Sequence, residues 1–492
     1  MSADTSPITE LAHSDPPQNS VEPHDLLTRL AQLEQFNGEV AQAIDSLVTT
    51  VLDVQQKAEA LKPPPPVPQR SSQEVDALRA KVKELENRLA QEAMVRHVTE
   101  VSKAHPKRRT AVFLGRKFFC DNIKYTWLAM TERAKALDVD CWFLPLDEST
   151  CDTVERLGGG RCLPFRASEW TAEHINVVFS AAVLVTDDHF ITVGPNIAAF
   201  LAGARHIQLW HGIGIKDVGY ANIPPLSAFS PHTAKVLSTC GPFSTFVSTS
   251  ACLEPEWRRS FSFERYATLG YARNDVLYRE PGIRDLENVD TDTLALMRKA
   301  RHAGGRVFLY APTFRDARLG SWITDIGLDA IAQKMSRRGD TLIVNLHPCE
   351  QDRIPQLQPS MPHVRFVRPN TDIYPLLRES DALITDYSSV LFDYLHLDRP
   401  VIQFQPDYEQ YVTRSRKLHD DKDTTLVGPV LKTPEALLAL LASPKLETPS
   451  HTAKRQELLA RLYEVRDGSS AEKLCQLIVE EIERAVQRVP RQ

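Results

Sequence analysis

The 492-residue chain has eight cysteines and no CxxC pair among them, so neither a disulfide scaffold nor a zinc site is expected, and the thiols read as buried and reduced. It has no basic excess: 58 Lys and Arg stand against 64 Asp and Glu, a formal charge of −6. A protein that coats nucleic acid by counterion release is thereby excluded. No apolar run approaches the ~18 residues that would span a bilayer. The nearest, from Ile175 to Val185, is interrupted by Asn176 and Ser180. The first twenty residues show no basic-then-apolar pattern, and no secretory signal is expected from them. No GxxxxGK[ST] exists, which removes P-loop kinases and ATPases. The run Gly212-Ile-Gly214-Ile-Lys-Asp-Val-Gly219 has the wrong spacing for a dinucleotide fingerprint.

What is present is unevenly distributed. Residues 1–24 are polar and Pro-containing and read as a disordered tail. From Leu26 a heptad takes over: Leu26, Leu33, Val40, Leu47, Val54 and Leu61 share one seam position, and Leu30, Asn37, Ile44, Val51 and Ala58 the other. Sustained 4-3 spacing predicts a coiled-coil stalk over 25–105, with Asn37 as a register-fixing polar residue in a parallel pair. The competing reading is an amphipathic helix folded back on the body. Pro63–Pro66 and Pro68 interrupt the stalk as a stiff joint at 63–68, before a shorter seam of Val75, Leu78, Val82, Leu85 and Leu89. A basic cluster, Lys103-Ala-His-Pro-Lys-Arg-Arg109, marks the exit and reads as a solvated boundary, with anionic lipid as its alternative partner.

From Ala111 short apolar runs alternate with helical stretches. Expected strands are Ala111–Leu114, Cys141–Leu144, Val177–Val185, His206–Trp210, Phe246–Thr249, Val307–Tyr310, Leu342–Leu346, Ala382–Thr385 and Val401–Phe404, with one long final helix near Ala453–Arg488. Such alternation implies an α/β fold with parallel sheets covered on both faces. Its length suits two Rossmann-like domains, 106–285 and 286–492, hinged near Arg279–Arg298.

Ligands of open parallel sheets bind beyond the carboxyl ends of the strands. Four strand ends there carry chemistry. His211 follows Gln208-Leu-Trp and precedes two glycines; an imidazole there can take a proton from a hydroxyl, although a histidine beside Trp210 also suits a structural role. His347 ends a second strand and is held by Pro348. Thr313 and Arg315 follow a third, offering a hydroxyl and a planar guanidinium suited to phosphate. Asp386-Tyr-Ser388-Ser389 leads a fourth strand into a helix, a serine-capped anion site with Asp393 one turn further on the same face. Asp187-Asp188-His189 reads as a strand-end turn rather than a metal site.

Trp210-His-Gly, Tyr310-Ala-Pro-Thr-Phe-Arg-Asp316, Leu346-His-Pro348, Thr385-Asp-Tyr-Ser-Ser389 and Phe392-Asp-Tyr394 resemble, in order, the CDP-glycerol glycerophosphotransferase family, the teichoic-acid and capsule polyol-phosphate polymerases. Asp121-Asn-Ile-Lys-Tyr125, Gly270-Tyr-Ala-Arg273-Asn-Asp275, Asp407-Tyr-Glu409-Gln-Tyr411 and Asp467-Gly468 agree; Ala272 departs from the proline more usual in the GxPRND stretch. The resemblance covers about 111–480 and is silent on the stalk. It implies a GT-B architecture and transfer of a polyol phosphate from CDP-glycerol or CDP-ribitol to a hydroxyl of a lipid-linked or polymeric surface glycan, releasing CMP. It implies His211 as acceptor-side base, with His347, Arg315, Ser388 and Ser389 on the pyrophosphate and Asp393 as a donor contact. No cofactor and no nucleic-acid partner are expected. A cytoplasmic enzyme, homo-oligomeric through the coiled coil and peripheral at the inner membrane face, is the resulting picture. Two rivals stay open: a GT-B glycosyltransferase using a nucleotide sugar, and a non-catalytic scaffold that works through its stalk.

Overall fold

The computed structural model describes residues 42, 45–54, 56–57, 72–115, 118–188, 195–214, 217–222, 237, 239–315, 323, 326–409, 411 and 427–487. The tail 1–24, the joint 63–68, most of the first heptad seam, Lys216, His189 and Asp316 lie outside them. The chain divides into two compact units, Met1–Arg88 and Leu89–Gln492.

In the first unit residues 45–54 are helical, and the seam residues Leu47, Val51 and Val54 are exposed there. A helix of 33 residues, Ser72–Ala104, follows. Of the predicted seam on it, Val82, Leu85 and Leu89 are 55%, 50% and 65% exposed.

The second unit holds two wholly parallel sheets. The first has strands β1 (Arg108–Leu114), β2 (Asp140–Leu144), β3 (Arg161–Cys162), β4 (Ala181–Thr186), β5 (Arg205–Gln208), β6 (Phe243–Ser248) and β7 (Phe263–Thr268), in the order β3-β2-β1-β4-β5-β6-β7. The second has β8 (Val307–Ala311), β9 (Thr341–Val344), β10 (Arg365–Phe366), β11 (Ala382–Thr385), β12 (Val401–Phe404) and β13 (Val430–Leu431), in the order β10-β9-β8-β11-β12-β13. In both, order reverses beside the first strand, so each sheet has a switch point where strand ends diverge. Alternate residues feed opposite faces: Ala111 and Phe113 enter one apolar core, Val112 and Leu114 another. The first of these cores is continuous across both sheets, taking in Leu309, Leu383 and Val401. A further core covers the other face of the second sheet through Phe308, Ile384 and Phe404. Burial on both faces explains why these strands read as unbroken apolar runs.

Two expectations are corrected. Val177–Val185 is the end of a helix, Ala172–Ser180, followed by β4; Thr171 caps that helix with His174 completing the reciprocal pair. A continuous apolar run carries no periodicity to separate the two states. The single final helix is two, Pro449–Leu462 and Ser470–Val486, broken at a turn where Gly468 adopts φ +73°. The Asp275 carboxylate, two residues beyond Arg273, takes the free amides of Ser470 and Ala471 at 3.1 and 2.7 Å and starts the last helix. That helix returns to the first sheet, where its buried Glu481 pairs with Arg205 of β5. β3, β7, β10 and β13 were not anticipated; three of them are only two residues long.

The basic cluster at 103–109 is largely engaged. Lys107 donates to the carbonyls of Ser102 and Phe179 at 2.9 and 2.7 Å, near the ends of two helices, and burial lowers its ammonium to about 8. Arg109 pairs with Glu483, and Lys103 with Glu100 at 3.0 Å. Ser102, buried, bonds Phe200 O and Gly203 N and fastens the end of the long helix to the body.

Candidate active site

His211 stands three residues beyond β5, and the turn that presents it is built under strain. Trp210 has φ +56°, a left-handed conformation that costs a bulky residue roughly 1–3 kcal/mol. Its N–H donates to Gln208 Oε1 at 2.9 Å, and its carbonyl accepts from Asn122 Nδ2 at 2.8 Å. Gln208 in turn donates to Thr186 Oγ1 at 3.2 Å. The buried Asn122 also accepts the Arg273 N–H at 3.3 Å. The Trp210 and His211 rings stack, their centroids 4.2 Å apart.

His211 Nδ1 lies 2.9 Å from the carbonyl oxygen of Asp187. A carbonyl only accepts, so Nδ1 carries the proton in the neutral ring and Nε2 carries the lone pair. The Asp187 carboxylate is buried and accepts Ile123 N–H at 3.1 Å, which holds this carbonyl in place.

His347, three residues beyond β9, has the opposite polarity. Its Nδ1 accepts the Cys349 N–H at 3.2 Å, so in the neutral ring the proton is on Nε2. Its exposed ring packs against Phe314, 5.6 Å between centroids. In the neutral rings, Nε2 thus carries the lone pair on His211 and the proton on His347.

β8, β9 and β11 are neighbours, so Thr313, His347 and Ser388 leave the same edge of one sheet. Thr313 N–H donates to Asp386 Oδ1 at 2.8 Å, while its buried hydroxyl has no partner among the described residues. A buried hydroxyl without a partner is costly unless a ligand uses it. Arg315 is placed differently from the sequence expectation. Its guanidinium is buried between Asp386 (Nη2, 2.7 Å) and Asp407 (Nε, 2.6 Å), donates to Thr313 O at 2.6 Å, and lies over the Tyr387 and Tyr411 rings. It ties together the loops after β8, β11 and β12.

The helix after Ser389 also departs from expectation. It runs only from Val390 to Tyr394, and Ser389 at its N-cap makes no side-chain cap bond. So short a helix has little dipole to offer an anion, and the polar side chains this turn presents are the half-buried hydroxyls of Ser388 and Ser389. Asp393 is buried and held by protein: Arg273 Nη2 at 2.8 Å, Tyr374 OH at 2.9 Å and Tyr463 OH at 3.3 Å. Burial pushes its carboxyl upward, and the adjacent guanidinium opposes that.

The two sheets meet at this place. A Cβ on Gly212 would stand 3.0 Å from Ser389 Oγ, so the turn after β5 abuts the turn after β11. Arg273 spans the same junction, reaching Asp121 Oδ1 (2.5 Å) and His211 O (2.8 Å) besides Asp393. Further along, Lys124 and Tyr125 both reach Asp372 Oδ2 at 2.7 Å, a second buried junction. In the sequence Asn122 and Arg273 are motif letters to which local pattern assigns no role. Their signal was membership of two motifs 151 residues apart, which the fold brings into contact.

The pattern of CDP-glycerol:poly(glycerophosphate) glycerophosphotransferases matches residues 151–480. A teichoic acid glycerol-phosphate transferase of Staphylococcus aureus (strain NCTC 8325 / PS 47) is 26% identical over 290 residues, 56% of this chain and 70% of that protein. A teichoic acid glycerol-phosphate primase of Bacillus subtilis (strain 168) is 25% identical over 307 residues, 62% and 75% of the two chains. The solved structure of the wall teichoic acid polymerase TagF superposes with a TM-score of 0.62 at 20% identity, over 84% of this chain and 99% of that one, and shows the shared fold. With two-thirds of its length matched in sequence and its strand-end motifs gathered at one junction, the chain belongs to the CDP-glycerol:poly(glycerophosphate) glycerophosphotransferase family.

Proposed function

We propose that the chain is a GT-B enzyme that transfers a polyol phosphate, glycerol phosphate first among the candidates, from a CDP-polyol to a hydroxyl of a cell-surface polymer or its primer. The observation that carries this reading is the opposed hydrogen-bond polarity of the two strand-end histidines. His211 Nε2 takes the proton of the acceptor hydroxyl. The hydroxyl oxygen attacks the polyol-bearing phosphorus, the bond from that phosphorus to the bridging oxygen breaks, and CMP leaves with the electron pair. His347 Nε2–H and the hydroxyls of Thr313, Ser388 and Ser389 offset the charge gathering on the pyrophosphate oxygens. General base catalysis supplies typically ~10²–10⁴-fold and each oriented donor ~10²–10³-fold. Arg315 and Asp393 organise these loops from behind rather than touching the donor, as their carboxylate, guanidinium and phenol partners suggest.

The division into an acceptor domain at 106–285 and a donor domain at 286–492 is supported by the division of strands, with β7 ending at Thr268 and β8 starting at Val307. Self-association through the stalk is supported by the uncovered Val82, Leu85 and Leu89. With Val82 and Leu89 at a positions of a parallel pair, Lys81 of one copy faces Glu86 of the other. Teichoic-acid or capsule synthesis at the inner face of the membrane follows from a soluble nucleotide donor and a lipid-linked acceptor. No helix among the described residues is long and apolar enough to cross a membrane. A donor panel tests the reading: purified protein is given CDP-glycerol, CDP-ribitol, UDP-sugars and CMP-sugars. Acceptor-dependent CMP release from a CDP-polyol is expected; release from a sugar nucleotide alone overturns it.

A further inference from the structure

We propose that Arg273 is a positioning residue for His211, holding the acceptor-side base in register with the serine turn of the opposite sheet. The inference rests on the role of His211 proposed above. Arg273 sits on the 3₁₀ turn Ala272–Leu277 after β7, and its side chain is buried. Through Nη1 it holds the His211 carbonyl at 2.8 Å and Asp121 at 2.5 Å; through Nη2 it holds Asp393 at 2.8 Å. Asp393 lies four residues after Ser389 on one short helix, and Gly212, next to His211, abuts Ser389 itself. One planar group therefore fixes both sides of the contact between base and serine turn.

Three acceptors on three segments require a fork. A lysine ammonium is a point donor on a flexible stem and cannot hold the same geometry. The Tyr271 and Tyr374 rings, 5.0 and 5.1 Å from the guanidinium carbon, restrict its plane. General structural cohesion does not single Arg273 out, because Lys124 and Tyr125 on Asp372 join the same two halves without touching His211. A displacement of the base by an ångström can cost about 10²-fold in rate, which is the kind of error this contact prevents.

The test is a double-mutant cycle between Arg273→Lys and His211→Ala, read as single-turnover rate, donor KM and melting temperature. Arg273→Lys alone is expected to lower kcat at least ~30-fold with donor KM within about threefold. In the His211→Ala background it should add less than about threefold, because the residue it positions is gone. Asp393→Asn, nearly isosteric, carries the same expectation should the lysine variant fold poorly. Tyr125→Phe, which loses one bond at the other junction, should lower melting temperature and leave kcat within about twofold. Multiplicative losses in the cycle, or wild-type kcat in both Arg273→Lys and Asp393→Asn, overturn the inference. An active His211→Ala enzyme would instead overturn the role of His211, so the two failures are distinguishable.

Discussion

Gly212 and Ser389 occupy adjoining turns of two different sheets and approach closely: a Cβ on Gly212 would meet Ser389 Oγ at 3.0 Å and Arg273 Nη2 at 3.4 Å, so a neighbour would have to yield by a few tenths of an ångström. Gly212 also has φ +147°, a conformation that side chains rarely adopt. Gly212→Ala should therefore push the His211 turn away from the serine turn. A fall in kcat of ~10–100-fold with an intact fold is expected, checked by steady-state kinetics beside circular dichroism. Unchanged kcat would show that this approach does not matter to the reaction.

The hydrogen-bond polarity of the two histidines predicts different defects. His211→Ala should lose at least ~10²-fold in transfer while binding CDP-glycerol nearly normally, because it serves the acceptor. His347→Ala should lose a similar factor and also bind the donor more weakly, because its Nε2–H serves the pyrophosphate. Titration calorimetry with CDP-glycerol separates the two; equal donor affinity in both variants contradicts the assignment.

The strained Trp210 turn depends on side chains behind it. Gln208→Ala removes the acceptor of Trp210 N–H, and Asn122→Ala removes the donor to its carbonyl. Each should cost about 1–3 kcal/mol of stability through buried groups left unpaired. Each should also lower kcat more than donor affinity. Chemical denaturation and kinetics on the same samples check both halves.

Two buried histidines should make the enzyme lose stability in acid, against the opposing contribution of Asp275, whose carboxyl burial raises to about 6. Burial lowers His206 to about 4, and burial together with Arg273 and Arg466 lowers His396 to about 3. Unfolded histidines titrate near ~6.5, so below that pH the unfolded chain binds more protons than the folded one. Stability is fully present above about pH 6.5 and is lost as pH falls toward 4 and then 3. The urea midpoint should drop across that window, and the drop should shrink in His396→Gln. An unchanged slope in that variant removes His396 from the account.

The strand ends were legible because buried parallel strands are continuous apolar runs, and the candidate residues were sought just beyond them. His211, Thr313, His347 and Ser388 became candidates in this way, and the structure puts each two or three residues beyond a strand end. What local pattern could not show was partnership at long range. Arg315 looked like a phosphate fork, yet two carboxylates, one of them 92 residues later, take it up. Asp393 looked like a ligand contact, yet Arg273 meets it from 120 residues earlier. The helix ending at Ser180 was hidden for a different reason: its apolar residues run straight into β4, and neither a 3.6 nor a 2.0 period survives there.

Because Ser102 and Lys107 anchor the long helix to the body, a truncation beginning at Leu89 keeps these contacts, whereas one at Ala104 would cut through them. Light scattering should give an oligomer for the full chain and a monomer for the Leu89 version, with kcat on a short soluble acceptor unchanged. Equal subunit numbers would remove the coiled-coil assignment.

Mass spectrometry of a defined polyol-phosphate primer after incubation with CDP-glycerol tests the central claim most directly. The account predicts products heavier by whole glycerol-phosphate units, with one CMP released per unit and product forming at least ~10²-fold more slowly with His211→Ala. A primer left unchanged, or extended by a sugar from a nucleotide sugar, would contradict it.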